Sequence, residues 1–277
     1  MHTTPINPPK GSYKVRNWKA YNSGLCKRGS LTLFIDSSVL DEWEQLLGKK
    51  KEVGTQTYPA SIIQCCLLDI GSRLKQGENL VIGIDSTGLK VCREGEWKVR
   101  KHGWSKRRTW RKMHICIDLN TQQILSVELT GNEEDDASAG SRMLKGNTNG
   151  IGSFYGDGAY DKFDFRQILG HGIDQIIPPP KNAVIQKAKK GSPLPDYLIQ
   201  RNRAVVYIDQ YGLEQWKREH GYHKRSLNEV VMYRFKAIFG GELDARKIEN
   251  QITEVRLKSL LLNKFTGTGM PDSYKIA

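Results

Sequence analysis

The sequence predicts an α/β fold: a mixed five-stranded sheet with flanking helices, preceded by a short basic and helical region. Three observations predict it. "NLVIGID", from Asn79, is a near-continuous apolar run of strand length, the pattern of a strand covered on both faces. "KMHICIDLN" and "QQILSVELTG" each alternate apolar and polar residues, the pattern of strands with two unlike faces. Beyond them, helix-spaced segments alternate with two more short apolar runs.

Residues 1 to about 30 are rich in Pro, Lys and Asn and read as an irregular basic arm. "SLTLFIDSSVLDEWEQLL" gives a short apolar run and a helix start, with Asp36, Ser37 or Ser38 as cap, and "SIIQCCLLDIGSRLKQG" a second short helix. The first sheet strand is expected to end at Asp85. The next two form a hairpin turning at Asn120 and Thr121. "EDDASAGSRML" then reads as a capped helix, and "IGSFYGDGAYD" as a strand ending at Asp157. "KFDFRQILGHG" is a helix stopped by Gly170 and Gly172, and "IDQIIPPP" a fifth strand cut off by prolines. The order β-β-β-α-β-α-β followed by helices is that of an RNase H-like fold. The segment from Lys181 to about Asp196 reads as an exposed loop, "ARKIENQITEVRLKSLLLNKF" as an amphipathic helix and "TGTGMPDSYKIA" as a frayed tail. The expected divisions are 1–78, the basic arm and short helices; 79–240, the sheet domain; and 241–277, the last helix and tail.

A formal charge of +13, from 43 basic against 30 acidic residues, points to a polyanion partner. The five cysteines include no CxxC pair and no histidine pair at finger spacing, which argues against a zinc site and for reduced thiols in the cytoplasm. There is no apolar run of about 18 residues, so no membrane partner is expected.

Three acids stand out. Asp85 and Asp157 are expected at the ends of neighbouring strands. The third lies in "GYHKRSLNEVVMYRFK", where a helical wheel puts Tyr222, Arg225, Glu229 and Lys236 at roughly 0°, 300°, 340° and 320°, on one stripe. Leu227, Val231, Phe235 and Ile238 fall on the opposite face, which is expected to pack on the sheet. That packing would turn Glu229 toward the two aspartates. Hard divalent cations prefer oxygen ligands, and two of them flanking a scissile phosphate need carboxylates placed close together. Arg225, Lys236 and the Tyr222 hydroxyl would reach the phosphates beside them. Other acids have plainer roles: Asp118 is a turn former, Asp135 and Asp136 are helix caps, and Asp161 is a cap for the helix that follows it. His114 reads as a packed or hydrogen-bonded residue of a strand interior.

"VIGIDSTGLKV", "YGDGAYD" and Tyr222-x2-Arg225-x3-Glu229-x6-Lys236 resemble the bacterial insertion-sequence transposases of the DDE class, in the branch whose third acid lies in a Tyr-Arg-Glu-Lys helix. The resemblance runs from about Asn79 to Phe239. It implies metal-dependent hydrolysis at transposon ends, then attack of the freed 3′-hydroxyl on target DNA. Asp85 would bridge two Mg²⁺ ions, with Mn²⁺ as a substitute, and Asp157 and Glu229 would each hold one. The resemblance also implies double-stranded DNA as partner, a homo-oligomer acting on two ends, and residence in the bacterial cytoplasm at the nucleoid. The stretch from Ser61 to Ile84 is shorter than that family's usual helical region.

Between Lys90 and Lys112 there are ten basic residues against two acids, with three of the six tryptophans. Bases neutralise phosphates and aromatic rings stack on unpaired bases, so this connection is expected to grip DNA. Its candidate contacts are Arg100, Lys101, Trp104, Lys106, Arg107, Arg108 and Arg111. The plainer reading is a twisted hairpin packed by its tryptophans. Two alternatives to a transposase stand: a related metal-dependent nuclease without strand transfer, and a catalytically dead, truncated DNA-binding copy.

Overall fold

The structure, a computed structural model, describes residues 13–28, 79–91, 110–188 and 191–275. The chain divides into two compact units, Met1–Phe34 with Asn263–Ala277, and Ile35–Leu262.

In the first unit, β1 (Tyr13–Val15) pairs antiparallel with β8 (Ser273–Lys275), and α1 (Trp18–Arg28) follows β1. The Asn17 amide clamps the pair: its nitrogen donates to the Met270 carbonyl at 2.9 Å and its oxygen accepts from the Asp272 amide at 2.8 Å. Gly24 of α1 lies against the Thr268 carbonyl so closely that no Cβ would fit. The irregular arm and the frayed tail expected from local composition are therefore corrected over the described residues of each, 13–28 and 266–275. Each is too short and polar to order alone, and they order by pairing with each other. The helices expected between Leu31 and Gly77 lie outside the described residues.

The second unit is built on a mixed sheet of six strands with helices on both faces, compatible with an RNase H-like α/β fold. Its strands are β2 (Leu80–Val91), β3 (Trp110–Asp118), β4 (Gln123–Thr130), β5 (Ile151–Tyr155), β6 (Asp174–Ile176) and β7 (Glu242–Leu243). The order is β4-β3-β2-β5-β6, with β7 also on β2. The β2–β3 and β3–β4 pairs are antiparallel, while β2–β5, β5–β6 and β2–β7 are parallel. The hairpin between β3 and β4 turns as expected. The Asp118 carboxylate accepts from the Asn120 amide at 3.0 Å and the Thr121 hydroxyl at 2.6 Å.

One face of the sheet carries Leu80, Ile82, Ile84, Cys116 and Phe154 against α2 (Asp136–Leu144) and α3 (Phe163–Leu169). Desolvation in this layer, with Asp118 adding to it, pushes the Cys116 thiol up to about 12, so it stays protonated and inert. The other face carries Leu89, Met113, Ile115 and Ile117. Against it lie α4 (Asp196–Tyr211), α5 (Leu213–Glu219), α6 (Ser226–Phe239) and α7 (Ile248–Gly267), through residues that include Trp216, Val231, Phe235 and Val255. No helix among the described residues is long and apolar enough to cross a membrane.

Two departures bear on the site. The central strand does not end at Asp85 but runs on to Val91, because Thr87, Leu89 and Val91 continue the alternation and β3 pairs along it as far as Lys90. The proposed stripe is also not one α-helix: Tyr222–Arg225 form a 3₁₀ turn after Gly221, whose φ is 60°, and only Glu229 and Lys236 lie on α6. The core face of α6 is also rotated about the helix axis from the one the wheel indicates. Ile238 is 48 % exposed, while Asn228 and Met232 are buried beside Val231 and Phe235.

Candidate active site

Strand pairing opens a gap at the centre of the sheet. Gly83 is the last residue of β2 paired with β5, and Lys90 is the first paired with β7. Between them, among the described residues, β2 has a ladder partner only on the β3 side. Asp85 lies in this gap.

Gly83 and Asp85 are two residues apart and so face the same side of the sheet, the side covered by α6. Gly83 is what lets the helix approach. A Cβ there would overlap the Asn228 side-chain amide and crowd Leu119, so a side chain at position 83 would displace the buried Asn228 amide from its place against the strand. The Asn228 amide in turn donates to the Arg225 carbonyl at 3.2 Å and ties the 3₁₀ turn to the helix.

The Asp157 side chain follows β5. It caps the 3₁₀ turn Gly158–Tyr160, accepting from the Ala159 amide at 2.9 Å, rather than ending the strand itself, which stops at Tyr155. Asp161 does not cap the next helix, as the sequence suggests. Its buried carboxylate accepts from Arg166 at 2.7 Å and Arg201 at 3.0 Å, anchoring the loop that carries Asp157 to α3 and α4.

These elements bring Asp85, Asp157, Arg225, Glu229 and Lys236 to the lining of one cleft of about 490 Å³. Ser86, Thr87, Met232 and Tyr233 complete the wall. None of these four is identified from the sequence. For Ser86 and Thr87 the signal was the alternation that continues past Asp85. For Tyr233 it was a bulky aromatic one helical turn from Glu229, and the residue is 73 % exposed.

Charge organises the cleft. Asp85 accepts from the Ser86 amide through Oδ1 at 2.8 Å and from Arg225 Nη1 through Oδ2 at 2.8 Å. Arg225 Nη2 reaches Glu229 Oε1 at 2.7 Å, so one guanidinium bridges two of the three acids. Burial pushes the Asp85 carboxyl above the usual range, the Ser86 amide and Arg225 oppose it, and Asp157 and Glu229 add repulsion. Burial would weaken the charge on Arg225, but Asp85, with Tyr222, Glu229 and Asp157, outweighs it and raises its pKa. Lys236 Nζ donates to the Thr87 hydroxyl at 2.6 Å.

Tyr222 is not part of the lining. It packs beside Trp216 with ring centroids 6.1 Å apart, and burial, with the nearby acids, raises its hydroxyl. Arg111 lies on β3 and donates from Nε to Gln251 of α7 at 3.1 Å. It too is absent from the lining. Arg100, Lys101, Trp104, Lys106, Arg107 and Arg108 lie outside the described residues.

Three carboxylates around one cleft are the donor chemistry that Mg²⁺ or Mn²⁺ requires. Among the described residues, however, no three of His, Cys, Asp and Glu converge closely enough to hold a metal ion, and the Arg225 guanidinium stands between Asp85 and Glu229. The donor set fits such an ion in kind. The arginine bridges two of its three members.

Behind the cleft, Asp135 caps α2 as expected, accepting from the Ser138 amide at 3.0 Å. Asp136, expected as a second cap, pairs instead with Lys112 at 2.9 Å and faces Nδ1 of the buried His114 at 3.3 Å. His114 Nε2 lies 2.9 Å from the Thr130 hydroxyl, so it is a packed, hydrogen-bonded strand residue. Desolvation would raise the Asp136 carboxyl, but hydrogen bonds from His114, Lys112 and Ser86 hold it far below the usual carboxylate range. A depressed acid stabilises the fold above its unfolded pKa of about 3.9 and loses that contribution as pH falls below it. Asp136→Asn is expected to lower stability near pH 7 by about 1–3 kcal/mol. In urea melts, the gap from wild type should narrow between about pH 5 and about pH 3. A gap that stays constant over that range would remove the charge from the explanation.

Residues 76–264, the greater part of the chain, match the family described as "Transposase DDE domain". No solved structure matches the chain.

Proposed function

The chain belongs to the transposase DDE domain family, and from that premise we propose that it cuts the phosphodiester at transposon ends and joins the freed 3′-hydroxyl to target DNA. The proposed catalytic domain is residues 79–240. The observation that supports this reading is the single cleft shared by Asp85, Asp157 and Glu229, which come from three separate parts of the chain and lie beside two cations of the phosphate-binding type.

In the proposed reaction the two steps have the same form. Water attacks phosphorus in line with the bond to the 3′-oxygen, that bond breaks, and a 3′-hydroxyl and a 5′-phosphate are left. The 3′-oxygen then attacks a phosphodiester of the target, displacing the target's own 3′-oxygen. Two Mg²⁺ ions, or Mn²⁺ in their place, would supply the activated water and neutralise charge on the phosphate. Asp85, Asp157 and Glu229 would hold them. Lys236, kept over Thr87 on the wall of the cleft, and Arg225 would bind non-bridging phosphate oxygens and fix the DNA for in-line attack. Tyr222 would buttress the turn that carries Arg225. The basic connection between β2 and β3, with Arg100, Lys101, Trp104, Lys106, Arg107 and Arg108, and Arg111 at the start of β3, would grip the duplex. A homo-oligomer on two ends completes the proposal, and the bacterial insertion sequences are the proposed source of the branch.

The test is incubation of labelled duplexes, made from the sequences flanking the gene, with Mg²⁺ or Mn²⁺ and a supercoiled target plasmid. Wild type is compared with Asp85→Asn. Cutting and joining that both vanish in the variant support the proposal. Cutting without joining would leave a metal-dependent nuclease. Binding with neither would leave an inactive DNA-binding copy.

A further inference from the structure

The arginine between the acids carries more than a phosphate contact. Arg225 engages Asp85 Oδ2 at 2.8 Å and Glu229 Oε1 at 2.7 Å, and the other Asp85 oxygen is taken by the Ser86 amide. A divalent cation bound by Asp85 and Glu229 would need the oxygens that the guanidinium now uses. Two positive centres within ion-pair distance of the same carboxylates also repel each other. Arg225 sits at the end of a 3₁₀ turn after a left-handed Gly221, at the start of α6, and its side chain is 21 % exposed at the cleft.

We propose that Arg225 is an exchangeable internal counter-cation, which holds Asp85 and Glu229 until a divalent cation takes them and which is then released to a DNA phosphate. This rests on the reading of the cleft given above. The planar fork of Arg suits this exchange because it spans two carboxylates at once and equally suits two oxygens of one phosphate. The exchange makes metal and DNA mutually supporting ligands. A phosphate that draws Arg225 away frees the two acids, and a cation that takes the acids frees Arg225. By linkage the two effects are equal in size.

The experiment measures Mn²⁺ affinity of the full chain by electron paramagnetic resonance, without DNA and with a duplex oligonucleotide. Wild type is compared with Arg225→Gln, Arg225→Lys and Lys236→Gln. Without DNA, Arg225→Gln is expected to bind Mn²⁺ about tenfold more tightly than wild type, while Lys236→Gln, which removes a charge from the same cleft but breaks no bridge, changes affinity less than about threefold. DNA is expected to tighten Mn²⁺ binding to wild type by clearly more than it tightens binding to Arg225→Gln. Should Arg225→Gln fail to fold, Arg225→Lys keeps the charge beside Asp85 but cannot span both acids, and it is expected to tighten binding by about threefold. Equal or weaker Mn²⁺ binding in the Arg225 variant that folds would overturn the proposal, as would an equal gain in Lys236→Gln. Wild type that never cuts DNA yet shows the exchange would overturn the functional reading alone.

Discussion

Glu229→Gln is expected to leave the protein folded and to lower metal-dependent DNA cleavage by about a thousandfold or more. The two halves of the expectation have different causes. The Glu229 side chain is 60 % exposed and its partner is Arg225, four residues earlier in the 3₁₀ turn, so solvent screens the pair from Glu229's side and its contribution is about 1 kcal/mol or less. Gln keeps the length of the side chain, and Arg225 keeps Asp85. Stability should therefore change by less than about 1 kcal/mol, as a urea melt would show. Activity is another matter, because a ligand to a catalytic cation is asked for several kcal/mol of transition-state stabilisation, and each 1.4 kcal/mol is about a factor of ten in rate. Single-turnover cleavage of a labelled duplex in Mg²⁺ measures it. Cleavage within about tenfold of wild type would remove Glu229 from the catalytic set.

Asp161→Asn should be the most damaging substitution for the fold, at about 3–5 kcal/mol. The Asp161 and Arg166 side chains are both 1 % exposed, and Arg201 donates to the same carboxylate. Arg166 is otherwise held by Gln175 Oε1 at 3.2 Å and the Ile177 carbonyl at 3.0 Å, neither of which carries charge. Burial already pulls the Arg166 pKa down against the pull of Asp161. Without the carboxylate, a buried guanidinium stays unpaired, and the cost is that of stranding a charge rather than of losing one hydrogen bond. Thermal melting should fall by roughly 10 °C for a chain of this size. The loop from Asp157 to Asp161 should loosen with it, so cleavage falls further than the loss of folded protein explains. A shift of less than about 2 °C would show that the network is not what holds the loop.

The parts of the site legible in the sequence were those with a local signature. Apolar runs located β2 and β5 near their acids, and the spacing from Tyr222 to Lys236 brought Glu229 toward Asp85 and Asp157. What local pattern could not show depended on distant partners. Ser, Thr and Gly after Asp85 lower strand propensity, and the extension of β2 to Val91 comes from pairing with β3 and β7. A wheel assumes one helix, so it could not show that Gly221 and a 3₁₀ turn set Tyr222 and Arg225 ahead of α6. Asp161 reads as a cap because Asp before a helix usually is one. Only the fold brings Arg201, forty residues later, to its other side. The pairing of β1 with β8 is the extreme case, since neither segment has a partner within reach of a sequence window.

The Ser86 amide, which donates to the Asp85 carboxylate on the side of β2 away from β3, ties the central strand's backbone to the state of its acid. Its neighbours along that edge have fixed partners: the Leu80 amide donates to the Gly150 carbonyl and the Lys90 amide to the Gly241 carbonyl. Ser86 alone of these three relies on a group that the cleft's ligands also seek. Hydrogen exchange at that one amide should therefore quicken when Asp85 is drawn elsewhere, while Leu80 and Lys90 keep their protection. The strand thus carries a backbone reporter of what the cleft holds, readable without any turnover of DNA.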